Sequence, residues 1–213
     1  MSDRRPPALF VADALGLDFL NSVATPAAEQ VDWIPDGDGL VAWLDQAGLV
    51  PAEESERLRA QALPGELDRV AAQARSLREW FRGFVRQRMG RPVGAEDLHE
   101  LEPLNQLLAR DEQFVRIVAD DAGGEGAAGS NGLLLRTERR WRTPESLLLP
   151  IGQALAATVG REDFRYVKAC QGPTCTLLFA DHTRGRARRW CSMAACGNRA
   201  KQAAHRNRTA TSR

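Results

Sequence analysis

The chain has 213 residues, 43% of them apolar and 27% charged, and no apolar run near the roughly 20 residues that span a bilayer. That composition excludes fibrous, globally disordered and membrane-spanning classes and fits one ordinary globular domain with a small appendage. The formal net charge of +1 conceals a division: residues 1–160 carry 17 basic and 25 acidic side chains, and residues 161–213 carry 12 and 3, so the body is −8 and the tail +9.

Taken in order, the body reads as helices. Leu15, Leu17, Phe19, Leu20 and Val23 group at helical spacings up to Pro26, and Leu40, Trp43 and Leu44 share one face of a second helix over 39–49. Pro51 suits the first position of a third helix, to about Ala62. The longest candidate, 65–89, repeats Leu67, Val70, Ala74, Leu77, Phe81, Phe84 and Val85, with Arg and Glu opposite. A helix over 95–109 precedes two strands, Phe114–Asp120 and Leu133–Glu138, joined by the glycine-rich GGEGAAGSNG. Thr143 and Pro144 then open a helix that Gly160 closes. Asp18 and Asn21, three apart on the first helix, form a candidate effector site, with capping or a buried hydrogen bond as the alternative.

All four cysteines lie after Gly160. The N-terminal MSDRRPPALF lacks the apolar core and cleavage site of a secretory leader, so a reducing cytoplasm is expected, where cysteines act as ligands more readily than as disulfides. Cys170 and Cys175 flank a turn made by Gly172 and Pro173; 176–181 reads as a strand, Gly185 as a turn, and 188–190 as its return strand. Cys191 and Cys196 are also five apart. Mid-helix they would point about 140° from each other. With Ser192 as N-cap, Cys191 precedes the helix and Cys196 takes its fourth position, where the two sulfurs can meet. Two such pairs match one closed tetrahedral site of four thiolates holding a structural Zn2+, although four cysteines can also bind an iron–sulfur cluster. His182 and His205 are spare.

From Cys170 through CTLLFADHTRGRARRWCSMAACGNRAK the chain resembles the CGNR zinc finger, whose letters stand at Cys196, Gly197, Asn198 and Arg199. LDFLNSV, residues 17–23, resembles the opening motif of the ABATE domain that accompanies this finger, with Ser22 where Thr is more usual. The resemblance spans nearly the whole chain. It implies a bacterial regulator of stress-induced transcription whose finger binds zinc through these cysteines and binds DNA. The expected fold is α+β and mainly helical: a helical body, residues 1–160, with a small β-hairpin, then a treble-clef-like finger, residues 161–213, of hairpin plus helix.

Arg184, Arg186, Arg188 and Arg189 cluster at the finger's turn, and Asn198, Arg199, Lys201, Arg206 and Arg208 decorate its helix. Arginine binds phosphate bidentately, so this basic surface points to nucleic acid at the cytoplasmic nucleoid. Asn198, Arg199 and Gln202 have side chains able to read purine edges, while Asn198 and Gly197 fit equally a structural role in shaping the backbone around Cys196. DNA is the expected partner; a zinc module that binds RNA, with Trp190 available to stack on a base, and a protein adaptor without nucleic acid stay open. No nucleophile motif, dinucleotide fingerprint or paired His–carboxylate constellation suggests an enzyme. The −8 and +9 segments imply at most a weak, reversible docking by which the body partly masks the finger until a ligand or partner releases it. Because zinc would supply the folding free energy of so small a unit, Cys191→Ser is expected to unfold the tail and leave the helical body intact. Operator, effector and oligomeric state have no sequence signal.

Overall fold

The computed structural model of the chain describes residues 6–26, 29–119 and 132–202. Helix α1 (Leu15–Leu20) is short and almost wholly buried. Gly16 lies so close to helix α6 (Leu148–Arg161) that a Cβ there would stand 2.4 Å from Thr158 Oγ1, so the crossing requires glycine. The expected run to Pro26 stops at Leu20 because its carbonyl is taken by buried Arg82 of helix α4 (Glu66–Arg88). The chain then turns into strand β1 (Val23–Ala24), which pairs with β2 (Val31–Asp32). Arg78 of α4 fixes this turn, donating to Ser22 Oγ at 3.0 Å and to both Asp32 oxygens at 2.9 and 3.0 Å.

Helix α2 (Gly37–Gln46) starts at Asp36, whose carboxylate accepts from Gly39 N at 2.8 Å, and it buries Leu40, Trp43 and Leu44 as the spacing predicts. Helix α3 (Ala52–Gln61) follows Pro51. The polar side of α4 is not all solvent-facing: Arg78, Arg82 and Arg88 are buried, each with an oxygen partner, Arg88 meeting Asp97 at 2.8 Å. The helix expected over 95–109 divides into a 3-10 turn (Ala95–Leu101) and α5 (Glu102–Leu108), with Pro103 in the first turn of the latter. Strands β3 (Gln113–Ala119) and β4 (Leu133–Arg139) form an antiparallel hairpin in unbroken register. Most of GGEGAAGSNG, like Arg206, Arg208 and His205, lies outside the described residues. Thr143 opens a 3-10 turn (Pro144–Leu147) that leads into α6.

α1 packs on α4, on α6 and on strand β6 (Leu178–Ala180) of the tail. One buried cluster therefore runs from Phe19, Trp43, Phe81 and Leu155 to Leu178, Phe179, Cys191 and Cys196. A weak electrostatic docking does not describe this joint. Asn21, 1% exposed, donates to Leu178 O at 2.8 Å and accepts from Leu178 N at 2.9 Å. Ala180 N donates to Ala12 O at 2.8 Å, and Thr25 N to Thr176 Oγ1 at 2.9 Å. Net charge could not reveal this attachment, because the apolar 177–180 supplies it by burial.

The candidate effector pair is likewise internal. Asn21 is spent on β6, and buried Asp18 accepts from Val11 N at 2.9 Å and Ala12 N at 3.0 Å. Burial raises the Asp18 carboxyl to about 7, and the hydrogen bonds from Ala12 and Val11 only partly oppose it. A carboxyl raised on folding stabilises fully below its unfolded value near 3.8 and loses that contribution as pH rises through about 7. In urea unfolding, the Asp18 contribution, read as the wild-type stability minus that of Asp18→Asn, should therefore fall by about 2–3 kcal/mol between about pH 5 and about pH 8. A difference that stays constant with pH would remove Asp18 as a source of pH dependence.

Candidate metal centre and basic surface

After a 3-10 turn (Phe164–Tyr166), strand β5 (Val167–Ala169) pairs antiparallel with β6, Val167 opposite Ala180 and Ala169 opposite Leu178. The first cysteine pair sits in the turn of this hairpin, closed by Cys170 N to Leu177 O at 2.9 Å and Cys175 N to Gly172 O at 3.1 Å. This corrects the expected pairing of β6 with 188–190, which is not a strand. Arg188 N goes instead to the Asp181 carboxylate at 2.9 Å, and Arg189 O accepts from Gln171 N at 2.9 Å.

The second pair follows the N-cap geometry. Ser192 is extended and its Oγ accepts from Ala195 N at 3.0 Å. A π-helical turn (Met193–Gly197) follows, in which Cys196 N and Gly197 N both donate to Ser192 O, and α-helix continues over 198–202. The wider turn brings Cys196 back toward Cys191, with their sulfurs 3.6 Å apart.

The four sulfurs lie within 4.8 Å of one another, and Cys175 Sγ is 3.9 Å from Cys191 Sγ. Tetrahedral zinc with bonds of about 2.3 Å sets its sulfurs about 3.8 Å apart, so the four cysteines can bind one zinc ion. Gly172 belongs to this cradle: a Cβ there would come within 3.0 Å of both Cys196 Sγ and Cys175 Cβ. Cys170, Cys191 and Cys196 are buried and Cys175 half-buried. Around the sulfurs stand donors suited to thiolate charge: Cys191 N to Cys170 Sγ at 3.3 Å, Gly172 N to the same sulfur at 3.5 Å, and Arg199 Nη2 to Cys196 Sγ at 3.3 Å. The hydrogen bond from Cys191 holds the Cys175 thiol down to about 5, while that bond and burial push Cys191 up. Zinc replaces such shared protons with one cation, so coordination releases protons and weakens in acid. His182 is held by Glu162 Oε2 at 2.6 Å and is no ligand.

Asp181, the isolated acid among the finger's arginines, organises the basic turn. It is fully buried and accepts from Lys168 Nζ at 2.7 Å, Thr183 Oγ1 at 2.6 Å and Arg188 N. Burial alone would raise its carboxyl, but these donors outweigh it and hold the group well below the usual range. The sequence signal for this role is a lone Asp at the head of the basic run 182–189.

Among the candidate nucleic-acid contacts, Arg184, Arg189, Asn198 and Lys201 are exposed. Arg186 is exposed but anchored: at φ +48° it lies over the Tyr166 ring at 4.4 Å and donates to Asp181 O. Arg199, also exposed, spans from Cys196 Sγ to Pro26 O. Arg188 is the exception. Its guanidinium donates to Val11 O at 2.7 Å, Trp190 O at 3.0 Å, Cys191 O and the Asp13 carboxylate at 2.5 Å, and it stacks 4.2 Å from the Phe179 centroid. Its donors are engaged in joining finger to body.

A helical body sharing its core with a four-cysteine finger defines the class, a zinc-finger protein. Residues 13–162 match the ABATE family, described as "Putative stress-induced transcription regulator", and residues 166–209 match the CGNR zinc finger. The chain belongs to the ABATE family and carries a CGNR zinc finger. Neither is an enzyme family. The search of curated proteins returned no match. Among the described residues, no helix is long and apolar enough to cross a membrane.

Proposed function

We propose that the chain is a DNA-binding transcription regulator whose zinc ion is structural. The observation that carries this reading is the single sign of the finger's exposed surface. Its three acids are all engaged: Asp181 is buried, Glu162 is held by His182, and Asp163 pairs with Arg165 at 2.8 Å. Arg184, Arg189 and Lys201 face solvent. Such a surface gains affinity for a polyanion by releasing its counterions. Duplex DNA is favoured over single-stranded RNA because Trp190, the candidate stacking residue, is half-buried with Arg189 already over its ring at 5.1 Å.

Five phosphate contacts, from Arg184, Arg186, Arg189, Arg199 and Lys201, give an expected slope of log affinity against log salt of about −4.5 for duplex DNA, and about −3.5 for single strands. Fluorescence anisotropy with competing duplex DNA and single-stranded RNA measures both. A slope near zero would favour the adaptor reading, and stronger competition by RNA would move the partner to RNA.

A further inference from the structure

We propose that the outer face of the β3–β4 hairpin is where two copies of this chain associate. The observation is a concentration of exposed apolar side chains on one side of a projecting element. Val115, Ile117, Leu133 and Leu135 are 61, 68, 53 and 72% exposed, half of the eight large hydrophobics exposed among the described residues. The register puts Ile117 opposite Leu135, Ala119 opposite Leu133 and Val115 opposite Thr137. Residues directly opposite in an antiparallel ladder share a face, so these six form one continuous stripe. Arg116, Arg136 and Glu138 fall on the other face.

The hairpin is held out firmly. Its base is fixed by the buried Arg139–Asp111 pair at 2.7 Å, by Arg140 over the Phe114 ring at 5.0 Å, and by Arg57 donating to Trp141 O at 2.5 Å. Beyond that base, among the described residues, the two strands pair only with each other. A two-stranded ribbon is marginal in water unless an apolar face is covered, and soluble proteins ordinarily blunt such strands with charge, proline or a bulge. This stripe has none of the three.

A second copy is the occupant that the chemistry fits. A two-fold contact sets a patch against itself, so any charge on the patch meets its like. This stripe carries no charge, so a two-fold contact through it sets no like charges directly against each other. The one ion on this face, Arg139 opposite Gln113 at the base, is buried against Asp111 and is not offered to a partner selected by charge. Two stripes packed face to face, about 10 Å apart as in a β-sandwich, bury on the order of 1,000 Å2, which corresponds to a concentration-dependent dimer rather than a permanent one. The inference does not depend on nucleic-acid binding; if DNA is the partner, the dimer presents two fingers to it.

Sedimentation velocity on the full zinc-loaded chain, from about 1 to about 200 µM, tests it. The expected result is a shift from 23.4 kDa toward twice that mass, weakened at least tenfold by Ile117→Asp with Leu135→Asp and unchanged by Arg116→Ala on the opposite face. As a check independent of the aspartates' effect on folding, Ile117→Cys should oxidise to a covalent dimer and Arg116→Cys should not. A monomer throughout the range, or association that the aspartates leave intact, would overturn the proposal.

Discussion

Cys191→Ser is expected to abolish stoichiometric zinc binding and to lower the melting temperature of the entire chain, body included, by roughly 10 °C or more. Cys191 is 1% exposed at the centre of the metal cluster and belongs to the same buried group as Phe19, Trp43 and Leu155. Structural zinc contributes folding free energy directly. Without a fourth thiolate, the turn at 170–175 and the helix start at 191–197 lose their common anchor, and β6, which Asn21 grips from α1, loses its support. The body cannot keep its packing while Leu178 and Phe179 withdraw from it. Metal analysis with calorimetry decides the point: one melting transition that moves as a whole is expected, and a body transition unmoved while the tail unfolds would show that the two are independent after all.

Arg188→Ala is expected to cost about 2–4 kcal/mol of stability, whereas Arg184→Ala should stay within about 0.5 kcal/mol. The contrast follows from where the two guanidinium groups stand. Arg188 ties Val11 and Asp13 of the body to Cys191 of the finger, and its removal leaves those carbonyls and the Asp13 carboxylate short of a partner. Asp13 is itself held at φ +59°, a conformation that costs free energy unless its surroundings impose it. Arg184 is exposed on the turn. For nucleic acid the order reverses: Arg184→Ala should reduce the magnitude of the salt slope by about one, while Arg188→Ala should leave the slope unchanged in the protein that stays folded. Denaturant unfolding and salt-dependent anisotropy separate the two, and equal stability losses would contradict the assignment of Arg188.

Helical periodicity and turn residues located every helix of the body and the β3–β4 hairpin, because those patterns are local. The metal site was equally legible: with Ser192 read as an N-cap, the spacing of Cys191 and Cys196 already placed two sulfurs together. Partners distant in sequence were not legible. β6 pairs back with 167–169 and not forward with 188–190, because Asp181 takes the Arg188 N–H that a forward ladder would need. Asp18 and Asn21 place polar chemistry in an apolar segment, which reads as an effector site or, more readily, as capping or buried hydrogen bonds; the approach of β6 and of residues 11–12 decides between them. Arginines show the same limit. Residue type alone does not separate Arg188, which faces inward, from Arg184, which faces water.

The most direct test is duplex-DNA binding by the full chain before and after its zinc is removed by a chelator. The zinc-loaded chain should bind with the salt dependence given above, and the stripped chain should lose at least tenfold in affinity together with its cooperative melting, regaining both when zinc is restored. Failure of the zinc-loaded chain to bind DNA, or binding indifferent to removal of the metal, would contradict the account of a zinc-pinned basic surface.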